Sequence, residues 1–218
     1  MTIPIFIGYD SYNHEAFTVC CNSIITRSSE LVSITPLVKS NISISNEKKG
    51  SNEFIYSRFL VPYLMNFKGW AIYLDSDTLL LDDIKKLWIL RDNQFSVMVS
   101  KHHYKTKFKR KFFNQPNLDY PRKNWSSVVL WNCSKNKHLT LEKINTTSDQ
   151  YLHRFQWCED KKIGTLPIEW NWLVLEYEEN VKAKLLHYTI GTPNLYTYEE
   201  SFSKKMWLEE KNKIFYDT

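Results

Sequence analysis

In Ala71-Ile72-Tyr73-Leu74-Asp75-Ser76-Asp77-Thr78 two aspartates, one residue apart, close an apolar run, and a second run, Leu79-Leu80-Leu81, follows at once. Side chains at i and i+2 of a strand point to the same side, so Asp75 and Asp77 are expected to face one target together. Two like charges at a buried strand end repel each other and lose hydration unless a cation neutralises them. A divalent metal answers that need, because hard cations take carboxylate oxygens. The triplet is short, and on spacing alone an ordinary acidic turn stays open beside the metal reading.

The segments around it alternate between strand and helix. Ile3 to Tyr9 reads as a strand ending at Gly8-Tyr9-Asp10, and Asn13 is placed to cap a helix with Ala16, Phe17, Cys20 and Ile24 on its apolar side. Val32 to Val38 is a second strand. Asn52-Glu53 is expected to open a helix through Phe54, Ile55, Phe59 and Leu60, with Pro62 marking a kink or restart. Trp70 to Leu74 is the strand that delivers the aspartates, and Asp83 caps a short helix bearing Ile84, Leu87 and Trp88. Phe95 to Ser100, Val128 to Trp131, Ile163 to Leu166 and Lys184 to Tyr188 read as later strands, with a helical stretch over roughly 139–157. This order implies an α/β fold of one domain, 1–218, with a mostly parallel central sheet flanked by helices. Ligands of such sheets bind beyond the carboxyl ends of the strands, where Asp10, Asp75 and Asp77 fall.

The formal net charge is +5, yet the segment from Lys101 to Lys111 alone carries six Lys and Arg and no acid, so the remainder is net −1. Basicity is a local patch, which argues against a general nucleic-acid binder. Cys20, Cys21, Cys133 and Cys158 show no metal-ligand spacing and read as reduced thiols of a cytoplasmic protein. The first residues hold no export signal, and no apolar run is long enough for a membrane span.

Several motifs, in matching order from Ile3 to about Pro193, together resemble the GT-A glycosyltransferases of the family 8 type. Ile7-Gly8-Tyr9-Asp10 resembles the nucleotide-binding first strand, and Tyr56-Ser57-Arg58-Phe59-Leu60-Val61-Pro62 resembles an S-R-F-x-x-P helix. Leu74-Asp75-Ser76-Asp77 with Leu87-Trp88 behind it resembles the L-D-x-D element. Trp125-Ser126-Ser127 through Asn132, Leu166-Pro167-Ile168-Glu169-Trp170-Asn171, and His187 to Pro193 resemble three later elements. The whole is also similar to the amino-terminal transferase domain of a glycosylation protein of large DNA viruses of the chlorella virus type. Two departures stand out. Gly191 is followed by Thr192-Pro193-Asn194 rather than by a lysine and a Trp, and the D-Q-D helix has no clean counterpart, with Asp149-Gln150 and Glu159-Asp160 both in its region.

The resemblance implies a Rossmann-like GT-A fold and a metal-dependent, retaining hexosyl transfer from a UDP-sugar of the UDP-glucose type to a glycan or glycoprotein acceptor. Retention can run by front-face attack or through a covalent carboxylate intermediate, and the absence of an evident nucleophile favours the first. Asp77, Asp75 and His187 are the implied metal ligands. Carboxylates with an imidazole suit Mn²⁺ better than its substitute Mg²⁺; a core histidine is the alternative for His187. Gly8, Tyr9, Asp10, Arg58, Asp75, Ser76, Ser126, Ser127 and Gly191 are implied on the nucleotide-sugar side. A lysine of the 101–111 loop can replace the missing diphosphate lysine, with Lys101 placed on the nucleotide-sugar side. The loop is a candidate lid, against a reading as a solvated charged loop. Glu159 and Asp160 are the carboxylates assigned to catalysis, by positioning the donor hydroxyls, against a reading as solvated helix surface. Trp157, Trp170 and Trp172 read as core. Two rivals remain: a haloacid-dehalogenase-type phosphatase using Asp75-Ser76-Asp77-Thr78, and a domain that binds nucleotide-sugar without turnover. The chain can also be one module of a longer protein.

Overall fold

A computed structural model describes residues 2–45 and 53–215. Its strands are β1 (Ile3–Gly8), β2 (Val32–Leu37), β3 (Trp70–Leu74), β4 (Thr78–Leu80), β5 (Val97–Ser100), β6 (Arg110–Lys111), β7 (Gln115–Pro116), β8 (Val128–Asn132), β9 (Ile163–Leu166), β10 (Trp172–Leu173) and β11 (Leu185–His187). Its α-helices are α1 (His14–Arg27), α2 (Val61–Leu64), α3 (Ile84–Trp88), α4 (Leu141–Thr146), α5 (Asp149–His153) and α6 (Phe202–Phe215).

The main sheet runs β2-β1-β3-β8-β5-β9. β1 is parallel to β2 and β3, and β5 is parallel to β9, while β8 alone runs against both of its neighbours. Alternation along each strand feeds two cores. Ile3, Ile5, Ile7, Ile72, Leu74, Val128 and Leu130 face one side, where Cys20 and Ile24 of α1 pack. Phe6, Tyr73, Val97, Val99, Val129 and Trp131 face the other, against Phe59, Phe155 and Trp157. Both faces of the sheet are therefore covered, as parallel strands require.

A second sheet, β10-β11-β4, positions the site. Antiparallel pairing of β11 with β4 sets His187 opposite Thr78, and the Tyr188 amide donates to the Asp77 carbonyl at 2.9 Å. A residue far along the chain is thus delivered beside the acidic pair.

Four expectations change. Asp75, Ser76 and Asp77 form the turn between β3 and β4, so the turn, not strand alternation, brings the two carboxylates together. The helix expected from Asn52 is, over its described part, a turn followed by the 3-10 segment Ser57–Leu60 and the short α2, with Pro62 in its first turn; Asn52 itself lies outside the described residues. The stretch 139–157 is two helices, because Ser148 caps a new start by accepting from the Tyr151 amide. Asp83 does cap α3, through the Lys85 amide. Asn13 precedes α1 without a side-chain cap; its amide donates to Thr192 Oγ1 at 3.1 Å instead.

Candidate functional site

At the carboxyl ends of β1 and β3 a narrow cleft is lined by Arg58, Asp75, Asp77, Lys111, Ser126, Ser127, His153 and His187, among others. One carboxylate there already has its counter-ion. Arg58 Nη1 donates to Asp75 Oδ2 at 3.2 Å and its Nη2 lies 3.1 Å from Oδ1, with both side chains almost wholly buried. Tyr73 adds a hydroxyl to Oδ1 at 2.6 Å. Arg58 also reaches the Ser126 carbonyl and Oγ, each at 3.2 Å, and Ser126 Oγ lies 3.2 Å from His153 Nδ1. Burial pushes the Asp75 carboxyl up, against the pull of Arg58.

The other carboxylate has none. Asp77 Oδ1 is buried and makes no hydrogen bond. The atom facing it is His187 Nε2, 3.4 Å away. His187 Nδ1 sits 2.9 Å from Asn171 Oδ1, and Asn171 donates its amide to the Asn124 carbonyl at 3.0 Å. That donation fixes the orientation of the amide, so Oδ1 accepts from Nδ1–H of His187. When the imidazole is neutral, this hydrogen bond turns the Nε2 lone pair toward a carboxylate oxygen. Two acceptors facing each other without a proton between them form a site for a cation, and the partner on the far nitrogen is what ligating histidines commonly have. One ligand atom each from Asp75, Asp77 and His187 lie within 4.8 Å of one another. The residues fit a divalent ion. Asp77 and His187 are the open donors, while Asp75 keeps only part of its Oδ2 capacity beside Arg58.

A smaller adjoining cavity is lined by Asp10, Asn13, Ser76, Asp77, Phe112 and Gly191. Asp10 accepts from the Tyr12 amide at 3.1 Å, and burial raises its carboxyl above the usual range. Tyr9 packs its ring edge-on against Phe17 rather than into this space. Gly8 lies behind it, where a Cβ would fall 2.4 Å from the Phe54 ring. On the other side a cavity of about 440 Å³ opens from the cleft, lined by Lys111, Tyr120, Lys123, Asn124, Asp149, Gln150 and His153, among others.

Glu159, Asp160 and Lys101 are not brought to the cleft. Glu159 is exposed and pairs with Lys161 at 3.0 Å, and Asp160, 82% exposed at its side chain, pairs with Arg122 at 2.6 Å. From that region the acid that lines the adjoining larger cavity is Asp149, an exposed residue at the start of α5, with Gln150 beside it. Lys101 Nζ is tied to the Ile163 carbonyl at 2.8 Å over the Trp125 ring. Lys111 is the lysine of the basic segment that lines the cleft, whereas Lys105, Lys107 and Lys109 are exposed. Trp157 stacks on Trp131, Trp170 is buried, and Trp172 is half-buried against Tyr177.

No family model matches the chain. Among solved structures it superposes on the bifunctional glycosyltransferase WbbM (TM-score 0.63, 15% identity), covering 96% of this chain and 49% of that one. It also superposes on the galactosyltransferase LgtC (TM-score 0.60, 10% identity, 97% and 96% covered). A glycosyltransferase involved in glycosylation of the major capsid of PBCV-1 matches with TM-score 0.53 and 11% identity over 98% and 99% of the two chains. The central sheet and its helices are thus those of the GT-A glycosyltransferases, and the chain spans about half the length of WbbM. Protein CDI of Arabidopsis thaliana is 41% identical over 223 residues, 94% of this chain and 85% of the relative. At that identity and coverage, this chain belongs to the family of protein CDI.

Proposed function

We infer that the chain is a single glycosyltransferase domain that moves a hexosyl group from a UDP-sugar to a glycan or glycoprotein acceptor, with Mn²⁺ as its preferred ion and retention of configuration. The observation that carries the metal is the unpartnered Asp77 Oδ1 facing His187 Nε2. A divalent ion bound there supplies charge stabilisation for the leaving diphosphate without proton transfer. An imidazole among the ligands favours Mn²⁺ over Mg²⁺. Asp10 and Ser76 lie in the cavity next to Asp77, which supports a nucleotide on that side, and Ser126 and Ser127 support the donor sugar in the cleft. The cavity past Lys111 offers amides, two aspartates and the Tyr120 ring, groups suited to sugar hydroxyls and faces.

Retention rests on the motif resemblance, and the state of Asp75 supports front-face attack as its route. Asp75 is clamped by Arg58 and Tyr73, so it is not free to form a covalent intermediate. The same clamp weighs against the phosphatase reading, which needs that carboxylate as nucleophile. Family 8 membership and a viral glycosylation role rest on motif resemblance. A cytoplasmic site agrees with four free cysteines, and no helix among the described residues is long and apolar enough to cross a membrane.

The test is calorimetric titration of UDP, with and without Mn²⁺, followed by hydrolysis assays on UDP-glucose and on an aryl phosphate. UDP binding that needs the ion, with turnover of the nucleotide-sugar alone, is the expected result. Aryl phosphate turnover, or ion-independent binding with no sugar release, would replace this reading by one of its rivals.

A further inference from the structure

Two cationic side chains, Arg58 and Lys111, line the cleft around Asp77 among the described residues. Arg58 is committed to Asp75. Lys111 is half-buried, and no hydrogen bond or ion pair links its ammonium to any described residue; its Nζ lies 5.4 Å from the Phe112 ring centroid. Burial lowers its affinity for the proton, with Asp77 pulling the other way. A half-buried ammonium that has a ring beside it but no hydrogen bond is costly unless an anion completes it.

The chain spends structure to put it there. Lys111 ends β6 of a two-residue hairpin whose tip holds Phe113 and Asn114 at φ 54° and 56°, a left-handed conformation that non-glycine residues adopt at a cost. The hairpin is docked by the Phe112 amide on the Ile190 carbonyl at 2.7 Å. Gly191 gives the room: a Cβ there would lie 3.1 Å from Phe112 Cβ. At the hairpin's base, buried Glu176 accepts from the Lys107 amide at 2.8 Å and from Thr106 Oγ1. Gly191 thus serves the cleft by seating the segment that carries Lys111.

The charges show what completes the site. Arg58 and Asp75 cancel, and Asp77 offsets Lys111, so a divalent ion leaves the cleft two charges positive. A nucleotide diphosphate ester brings two negative charges. We propose that Lys111 is a further catalytic residue, the ammonium that binds the donor diphosphate and holds the charge gathering on it as the sugar leaves. The step breaks the bond between the anomeric carbon and the diphosphate oxygen, and the electron pair stays on that oxygen. The acceptor oxygen bonds to the anomeric carbon, and its proton passes to the diphosphate. Lys111 changes no bond and acts by charge. This assignment rests on the transfer reading above.

The experiment compares wild type with Lys111→Ala, Lys111→Arg and, as a control, exposed Lys109→Ala. Binding of inorganic pyrophosphate and of UDP, each with Mn²⁺, is measured by calorimetry, together with kcat for UDP-glucose hydrolysis. Lys111→Ala is expected to lose roughly ten-fold or more in both affinities and in kcat, the effect of one hydrogen bond to a charged group. Lys111→Arg should recover most of it, and Lys109→Ala should match wild type. Melting without ligand checks the fold, which removal of an ammonium that makes no hydrogen bond or ion pair leaves intact. Unchanged pyrophosphate affinity in Lys111→Ala overturns the proposal, as does wild type that binds neither anion. Pyrophosphate binding that depends on Lys111 without turnover of any nucleotide-sugar sustains the anion site and defeats the transfer reading alone.

Discussion

His187 Nε2 stands 3.4 Å from Asp77 Oδ1, an oxygen that has no hydrogen bond among the described residues. The two residues are held so by backbone, since β11 pairs with β4 and the Tyr188 amide holds the Asp77 carbonyl. With the imidazole neutral and no ion between them, the two are facing acceptors. Asp77→Asn is therefore expected to abolish Mn²⁺-dependent UDP binding while leaving the melting temperature of the free protein unchanged or higher. A variant that melts much lower, yet binds UDP with Mn²⁺ as wild type does, would make Asp77 a structural residue.

Asn171 sets the imidazole. It is fully buried, accepts from His187 Nδ1 and donates to the Asn124 carbonyl. Asn171→Ala should weaken Mn²⁺ binding by roughly ten- to a hundred-fold, the usual cost of losing the partner behind a ligating histidine. Asn171→Asp keeps an acceptor for Nδ1–H and should restore metal affinity, even though the bond to Asn124 is lost. If Asp and Ala reduce metal affinity equally, Asn171 serves packing and not the imidazole.

Arg58 and Asp75 form a buried pair whose members are safe only together. Arg58→Met strands the Asp75 carboxylate and should cost about 3–5 kcal/mol in urea unfolding at pH 7. Adding Asp75→Asn should return a large part of that loss, a coupling readable in a double-mutant cycle. Additive losses would show that the guanidinium acts mainly through its packing over the Phe54 and Tyr73 rings, both 5.4 Å away.

Much of this was legible before the fold was seen, and the reasons differ by residue. Alternating apolar strands marked the sheet, because burial on both faces leaves long hydrophobic runs such as Ile3–Gly8 and Trp70–Leu74. The D-x-D pair was legible as an acidic cluster, but its geometry comes from a turn that alternation does not describe. Asn171 stood in a recognised element, yet its work depends on a histidine sixteen residues later, across two strands. Glu159 and Asp160 were read toward the donor, and each instead spends its charge on a surface ion pair, with Lys161 and Arg122, that no spacing in the sequence announces. Helix α6 went unread for a physical reason. Its packed face mixes Phe202, Met206, Trp207 and Ile214 with buried Ser203 and Glu210, the latter paired to Arg27 at 2.7 Å, so polar residues interrupt its apolar stripe.

A final expectation concerns acid. His102 is buried with Nδ1 2.9 Å from the Tyr177 hydroxyl, and desolvation, with smaller contributions from His187 and His103, lowers it from 6.5 to about 3. The folded protein therefore refuses a proton that the unfolded chain accepts below pH 6.5. Stability owed to neutral His102 is complete above pH 6.5 and is lost as pH falls toward about 3. Between pH 7 and pH 5 this loss comes to about 2 kcal/mol for one such histidine. His102→Asn can keep a side-chain partner for Tyr177 and cannot titrate. Urea unfolding at pH 7 and pH 5 should show the variant losing about 2 kcal/mol less than wild type over that interval. Equal losses would mean that His102 takes up its proton in the folded state, with the buried ring reaching water or a counter-charge.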